Sequence, residues 1–456
     1  MHQHVVLLSI PGLRERDLST MPNLSRLALG GGYASLVPSF PAVTCPVQAN
    51  MMTGKLPREH GVVANGFYWR DQRRVEMWTS WNDCIERPQL WDILHERDRS
   101  ITSAVWFALH SRGCGADYLC TPAPIHHPDG SESLWCETRP EMIYTELQPK
   151  LGHFPLQHFW GPLAGIQSTA WIVASAMHTA EKYRPNFFYI YIPHLDYAAQ
   201  KAGPNSPAAR AALAEFDAEI GKLVEGLEKA YRESPLWLVA SEYAIVPVDG
   251  VVYPNRLLRQ AKLLKVIENA DGESLDFAES RAFALADHQL SHVFVQDADP
   301  KTIKKIVSVF KKQAGIAEVL TGEALAKYGL NHPRSGDVVL VSEPNSWQAY
   351  YWWEDDARAP KFARKVDIHR KPGYDPVELF VDRKTKGVPL DATLVKGSHG
   401  APATSAVQRG VLLSSEAGIF QGPTVADVDI AVICVSDTAD VEAVLFGQDG
   451  VVAGAR

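Results

Sequence analysis

A chain of 456 residues exceeds what one hydrophobic core usually serves, so a large domain carrying a smaller one is expected. The formal net charge of −8 leaves no basic footprint, which argues against nucleic acid and anionic membrane surfaces as partners. No run approaches the roughly 18 apolar residues of a membrane span, and Val5–Ile10 is too short and lacks the basic lead-in of a signal peptide, so the expected compartment is cytoplasmic.

In chain order, Val5–Ile10 is a continuous apolar run of strand length, the pattern of a buried parallel strand, and Pro11-Gly12 ends it. Met21–Ala28 reads as a short helix stopped at Gly30–Gly32. In Pro38–Gly54, Thr44 lies between a proline-containing turn and an apolar run that reads as a helix. Its hydroxyl and the first-turn N–H groups can then face one anion, which is a nucleophile's position. Asn65–Arg139 is rich in tryptophan (Trp69, Trp78, Trp81, Trp91, Trp106, Trp135), a composition that packs over a core edge or lines a pocket. Pro122–Gly130 is a turn-rich loop whose His126 and His127 read as surface residues, and Ser168–Lys182 has helical spacing. The apolar strand Asn186–Ile192 delivers Asp196 to its carboxyl end, where ligands collect in open α/β sheets. Leu236–Ala240 is a second strand running into polar residues, Ser241-Glu242-Tyr243.

Val252–His332 reads as an inserted unit: a helix over Asn255–Val266, a strand Arg281–Ala286, an apolar run Val293–Val295, a basic amphipathic helix Thr302–Gln313 and a strand-like Ala317–Leu320. Asp287, His288 and His292 fall between its first two strands. After Gly336 the large domain is expected to resume with a strand Asp337–Val341. Further on, Asp367 and His369 alternate and share a side if extended, a ligand or ligand-orienting geometry. Lys396–Pro402 carries the glycine-flanked His399, the best single nitrogen ligand in the chain, and Val407–Ile433 alternates glycine turns with apolar runs that finish the sheet. The expected division is 1–251 and 336–456 for the core and 252–335 for the insert. Cys45, Cys84, Cys114, Cys120, Cys136 and Cys434 show no C-x-x-C spacing, so free thiols are expected, with a Cys114–Cys120 bridge only in an exported protein.

The segment Phe40-Pro41 through Thr44 and Pro46, then Thr53-Gly54, Pro57, His60-Gly61 and Asn65 in register, resembles the nucleophile segment of the nucleotide pyrophosphatase/phosphodiesterase branch of the alkaline phosphatase superfamily. The resemblance covers nearly the whole chain. It implies an α/β fold, an alkaline phosphatase-like core sheet sandwiched by helices, with a small inserted α+β cap. It also implies a covalent phosphothreonine on Thr44 and two zinc ions. The chain departs from that pattern at the ligands. Pro11 stands where the family has aspartate and Gln200 where it has histidine, while Asp196, Gly203-Pro204 and His399 match. The family's S-D-H-G is Ser241-Glu242-Tyr243-Ala244 here, and Val47 replaces the phosphate-steadying asparagine, so Gln48, Asn65 or Tyr243 is expected to hold the phosphate.

The expected metal ligands are therefore Asp196, Gln200, Glu242 and His399, with Asp287, His288, His292, Asp367 and His369 as substitutes. Their oxygen-rich chemistry favours one divalent ion, Zn, Mn or Mg, over two zincs. The resemblance implies a phosphoric ester hydrolase, phosphodiesterase, phosphatase or pyrophosphatase, acting on a small phosphorylated substrate. Two alternatives stand beside it: a member that has lost hydrolysis and binds a phosphorylated ligand, and a phosphonate or sulfate hydrolase on the same scaffold.

Overall fold

The computed structural model describes residues 4–127, 132–382, 384–420 and 422–435. Pro128–Gly130, the end of the expected turn-rich loop, lies outside the described residues.

The apolar runs read as buried strands become the centre of a nine-stranded sheet. Leu236–Ala240, Val5–Ser9, Phe187–Tyr191, Ser103–Trp106 and Tyr118–Pro122 lie side by side and parallel. Residues of Leu236–Ala240 and Phe187–Tyr191 are all buried, as both faces of such a strand must be when helices cover them. Antiparallel Cys136–Arg139 closes one edge. On the other side follow antiparallel Gly410–Ser414, then Gly32–Val37 and Thr424–Ala426, so the tail finishes the sheet. Because the central strands are parallel, their carboxyl ends open on one side, and the loops after Ser9, Trp106, Tyr191 and Ala240 meet there.

Helix Ile166–Tyr183 packs along Pro207–Tyr231, which also meets Pro22–Leu27 and His194–Ala202. Thr44–Thr53 packs with Pro57–His60 and Ile430–Val435. Gly54 ends it in the left-handed region at φ 64°, a conformation that costs glycine little.

The insert forms a second, four-stranded antiparallel sheet in the order Ala282–Asp287, Leu290–Val295, Val338–Ser342, Ile316–Thr321, with helix Pro300–Phe310 against it. Two expectations differ here. Val338–Ser342 is a strand, but it pairs within this second sheet, beyond the boundary expected at 335. An apolar run reads alike in any buried strand, and its partner is a tertiary property. The helix expected to reach Val266 stops at Gln260, and Val266–Asn269 pairs instead with Gly272–Leu275. All six cysteines are buried and free.

The helix Thr44–Thr53 is pinned from behind. Asp427, fully buried, accepts Ser39 N at 3.0 Å, Ser39 Oγ at 2.6 Å and Asn50 Nδ2 at 2.8 Å. Asn50 Oδ1 accepts from His60 Nε2 at 2.7 Å, while His60 Nδ1 accepts Val62 N–H at 3.1 Å. Asp427→Ala strips the buried Asn50 Nδ2 and the two half-buried Ser39 donors of their acceptor, so it should cost about 2–4 kcal/mol in urea unfolding, since each orphaned group carries a desolvation penalty. A loss under about 0.5 kcal/mol would show the pin to be dispensable.

Candidate active site

Thr44 opens the helix Thr44–Thr53, with Val43 extended before it, so its hydroxyl leaves the helix end toward the strand termini. Thr44 Oγ1 lies 2.9 Å from Tyr243 OH. The Tyr243 ring lies flat on His399, centroids 3.5 Å apart and planes 5° off parallel. His399 Nδ1 is 2.8 Å from Ala42 O. A carbonyl only accepts, so Nδ1 carries the proton and Nε2 presents a lone pair. Burial, then the neighbouring His288, hold the His399 pKa well below its ordinary value, so the ring is neutral.

The first helical turn is not the open anion cradle that the sequence implied. Cys45 N–H already donates to Asn65 Oδ1 at 3.0 Å, and Pro46 has no N–H. Both amides expected to hold phosphate are engaged at each end. Gln48 Nε2 donates to Glu242 Oε1 at 2.7 Å and its Oε1 accepts Leu109 N–H at 2.8 Å. Asn65 donates from its backbone to Asp287 Oδ2 at 2.8 Å and from Nδ2 to Asp287 Oδ1 at 3.0 Å. They act as brackets here.

Glu242 is the meeting point of three elements. Its Oε1 also accepts from Ser9 Oγ at 2.7 Å, so strand Val5–Ser9, the loop after Leu236–Ala240 and helix Thr44–Thr53 share one carboxyl. Burial pushes its pKa up to about 8, against the hydrogen bonds from Ser9 and Gln48. Asp196 sits in the first turn of helix His194–Ala202, with Gln200 one turn on and on the same face. Burial raises the Asp196 pKa to about 6, while His288, Gln200 and Tyr243 pull the other way. Gln200 Oε1 accepts from Tyr374 OH at 2.7 Å.

The insert reaches this site through a tight hairpin turn at His288-Gln289. His288 holds φ 58°, a left-handed conformation uncommon for a residue with a Cβ. Its Nδ1 is 2.7 Å from Asp287 Oδ1, and its ring stacks on Tyr374 at 3.8 Å and tilts against His399 at 3.9 Å. Asp287 and His288 thus join the site. His292 faces it only indirectly: Nε2 donates to Val63 O at 3.0 Å and Nδ1 accepts Gly336 N–H at 3.0 Å, and burial takes its pKa down to about 4. It is a satisfied core histidine. Asp367 and His369 do not share an extended face. Their segment is a turn in which Asp367 Oδ1 accepts Arg370 N–H at 3.1 Å, and His369 lines a separate surface cavity. Sequence reading gave no role to Ser9, Ala42, Leu109 and Tyr374, whose partners lie far along the chain, nor to His60, whose partners Asn50 and Val62 are near; Ala42 and His60 both stood inside the recognised segment.

Four polar atoms here are buried without a partner: Asp196 Oδ1, Gln200 Nε2, Glu242 Oε2 and His399 Nε2. Three of them offer lone pairs, the chemistry a cation takes. Among the described residues, however, no group of three or more His, Cys, Asp or Glu side chains could hold a metal ion, and Pro11 offers no ligand atom. A closed two-zinc centre does not fit this donor set. A hard ion that keeps several waters needs only one or two carboxylates, and Asp196 with Glu242 or His399 fits that demand.

A parallel α/β sheet whose strand ends carry a helix-borne threonine beside buried acids defines an alkaline phosphatase-like hydrolase fold. The sequence model of the type I phosphodiesterase / nucleotide pyrophosphatase family matches residues 5–375, and the chain belongs to that family. Among curated relatives, an uncharacterized pyrophosphatase/phosphodiesterase of Schizosaccharomyces pombe is 25% identical over 263 residues, 56% of this chain and 46% of that protein. Human ectonucleotide pyrophosphatase/phosphodiesterase family member 7 is 22% identical over 327 residues, 68% of this chain and 62% of that protein. The chain thus spans less than two thirds of either relative. Among solved structures, phosphonoacetate hydrolase from Sinorhizobium meliloti in complex with phosphonoformate has TM-score 0.63 at 16% identity, covering 95% of both chains. An inactive murine ectonucleotide pyrophosphatase/phosphodiesterase 5 in complex with AMP has TM-score 0.59 at 13% identity, covering 94% of this chain and 93% of that one.

The raised Glu242 pKa has a definite sign in stability. Between 4.5, where the unfolded carboxyl ionises, and about 8, the folded chain keeps a proton that the unfolded chain has lost. Stability of the metal-stripped protein is therefore full below pH 4.5 and falls as pH rises to about 8, with Asp196 adding in the same sense up to about 6. The slope should approach ~1.4 kcal/mol per pH unit for one proton. Glu242→Gln should flatten that slope in denaturant melts; an unchanged slope would mean that Glu242 titrates normally.

Proposed function

We propose that the chain hydrolyses a small phosphorylated substrate by transferring the phosphoryl group to Thr44. The observation that carries this is the placement of Thr44 Oγ1 at a helix start, fixed by Tyr243 and beside four unpartnered buried polar atoms. Thr44 Oγ1 attacks phosphorus as its proton passes to Glu242, and the bond to the ester oxygen breaks, that oxygen taking a proton from water; a second water then cleaves the phosphothreonine, its oxygen going to phosphate and the hydroxyl returning to Thr44. Tyr243 OH orients the attacking oxygen, and its raised pKa, from burial first, keeps it a protonated donor rather than a base. Glu242, adjacent to Thr44, accepts the hydroxyl proton when ionised. Asp287, held by Asn65, fixes His288 against the His399 ring. One divalent ion, Mg, Mn or Zn, at Asp196 with Glu242 or His399 would supply positive charge against the phosphoryl oxygens. No helix among the described residues is long and apolar enough to cross a membrane, and six free cysteines support a reducing, cytoplasmic setting.

A second reading draws on the occupied first-turn N–H of Cys45 and the fully engaged Gln48 and Asn65: a protein that binds a phosphorylated ligand without cleaving it. A phosphonate hydrolase is the third, supported by the likeness to phosphonoacetate hydrolase.

Thr44→Ala should abolish turnover of an aryl phosphate ester with the melting temperature within a few degrees of the parent, and Thr44→Ser should keep part of the rate. Equal turnover in the alanine variant removes Thr44 as nucleophile, and a parent that binds AMP without any turnover selects the binding reading. Elemental analysis of the purified chain should give at most one divalent ion per chain. Two zincs would mean that the orphaned atoms recruit ligands from Asp287 or His288.

A further inference from the structure

The chain carries a second cavity, of about 540 Å³, on the far end of the insert's sheet, a volume that accommodates a mononucleotide. Its floor is the buried aromatic pair Phe283 and Phe294, stacked at 5.5 Å, and over Phe283 lie Tyr68 at 4.6 Å and Phe277 at 4.8 Å, themselves stacked at 5.9 Å. Tyr68 and Phe277 are half-buried, so ring surface stays open to a ligand. The rim is the turn 70–73 of hairpin Gly66–Met77. There Arg70 lies over the Phe294 ring at 5.0 Å and is tied to Asp337, at 3.2 Å, and to Ser335 O.

Arg73 is different. It projects from a left-handed backbone, φ 48°, is exposed, and among the described residues no carboxylate or carbonyl holds it. The Tyr68 hydroxyl, close enough to Arg73 and Arg70 to feel both charges, likewise has no hydrogen-bond partner among the described residues. Two free donors thus stand beside open aromatic faces. Asp297, on the wall, has no cation paired with it among the described residues and offers an acceptor for an N–H group.

We propose that this cavity binds a nucleoside monophosphate: its phosphate on Arg73 and the Tyr68 hydroxyl, its base against the half-buried rings of Tyr68 and Phe277, and a base N–H on Asp297. The cavity is separate from the Thr44 site. Phe283 lies four residues from Asp287 on the same strand face, about 13 Å at ~3.3 Å per residue, and the space between holds Leu285 and His292, both buried.

The test is equilibrium dialysis of AMP against the full chain in the Thr44→Ala background, which does not consume the ligand, with and without Arg73→Ala. The expected result is one AMP fewer per chain, or at least a tenfold weaker second class, in the Arg73→Ala chain. Adenosine alone and inorganic phosphate alone should each bind this site at least tenfold more weakly than AMP. If the Thr44 site binds no AMP, the proposal still requires one AMP without the Arg73 change and none with it. Identical stoichiometry and affinity in the two chains overturns the proposal, and so does equal binding of phosphate alone, which would mark an unspecific anion contact. Arg73 sits on an exposed turn, and a melting curve within a few degrees of the parent verifies the fold.

Discussion

One buried carboxyl governs this molecule. Glu242 is fully buried, and isolating a carboxylate from water is affordable only if it is protonated, hydrogen-bonded or matched by positive charge. The chain supplies the middle option for one oxygen, through Ser9 and Gln48, and leaves Oε2 bare. Those two bonds also fasten the first strand and the helix Thr44–Thr53 to the loop after Leu236–Ala240. The electrostatic state of the site and its mechanical closure therefore rest on the same group. Asp196, a short way off, feels the same deficit, which is why burial heads the causes of both raised pKa values.

That arrangement trades anion reception for rigidity. Donors that would ordinarily meet a phosphate, the Cys45 N–H and the amides of Gln48 and Asn65, are spent on holding the protein together. What is left facing inward is mostly lone pairs. A surface of lone pairs repels an anion by itself and attracts one through a cation, so the orphaned acceptors and the missing anion donors are two aspects of one design. Tyr243 fits it too: a neutral hydroxyl orders Thr44 without adding charge, and its ring takes its plane from His399, which Gly400, at φ 116°, leaves room to turn.

The strands of the main sheet were legible because full burial on two faces demands continuous apolar runs, as in Val5–Ser9 and Leu236–Ala240. The place of Thr44 at a helix start was legible because proline turn, hydroxyl and apolar helix lie within a few residues. Partnership across the chain was not. Nothing around Asn65 announces Asp287, 222 residues away, nor does Gln48 announce Glu242, at a separation of 194. Amide side chains suit a ligand or a bracket equally well, and only tertiary contact decides. Val338–Ser342 failed for the same reason, since apolarity specifies burial without naming the sheet. For Asp367 and His369 a local signal did exist: Pro372-Gly373 just beyond favours a turn, and an aspartate three residues before Arg370 can cap one.

The insert is not a loosely hinged lid. Four buried hydrogen bonds cross from its hairpin to the core: two from Asn65 to Asp287, His292 to Val63 O, and Gln289 N–H to His399 O at 3.0 Å. Swinging the hairpin away would strip partners from a buried carboxylate and from four buried backbone groups, Asn65 N–H, Val63 O, Gln289 N–H and His399 O, at roughly 1–3 kcal/mol apiece. The last of these bonds belongs to the very residue whose Nε2 faces the site, so opening would also release the support under Tyr243 and, through it, Thr44. Displacing the hairpin would thus dismantle the mount of Thr44. Any route to Thr44 that keeps these bonds therefore passes the side chains at the margin rather than under a lifted insert.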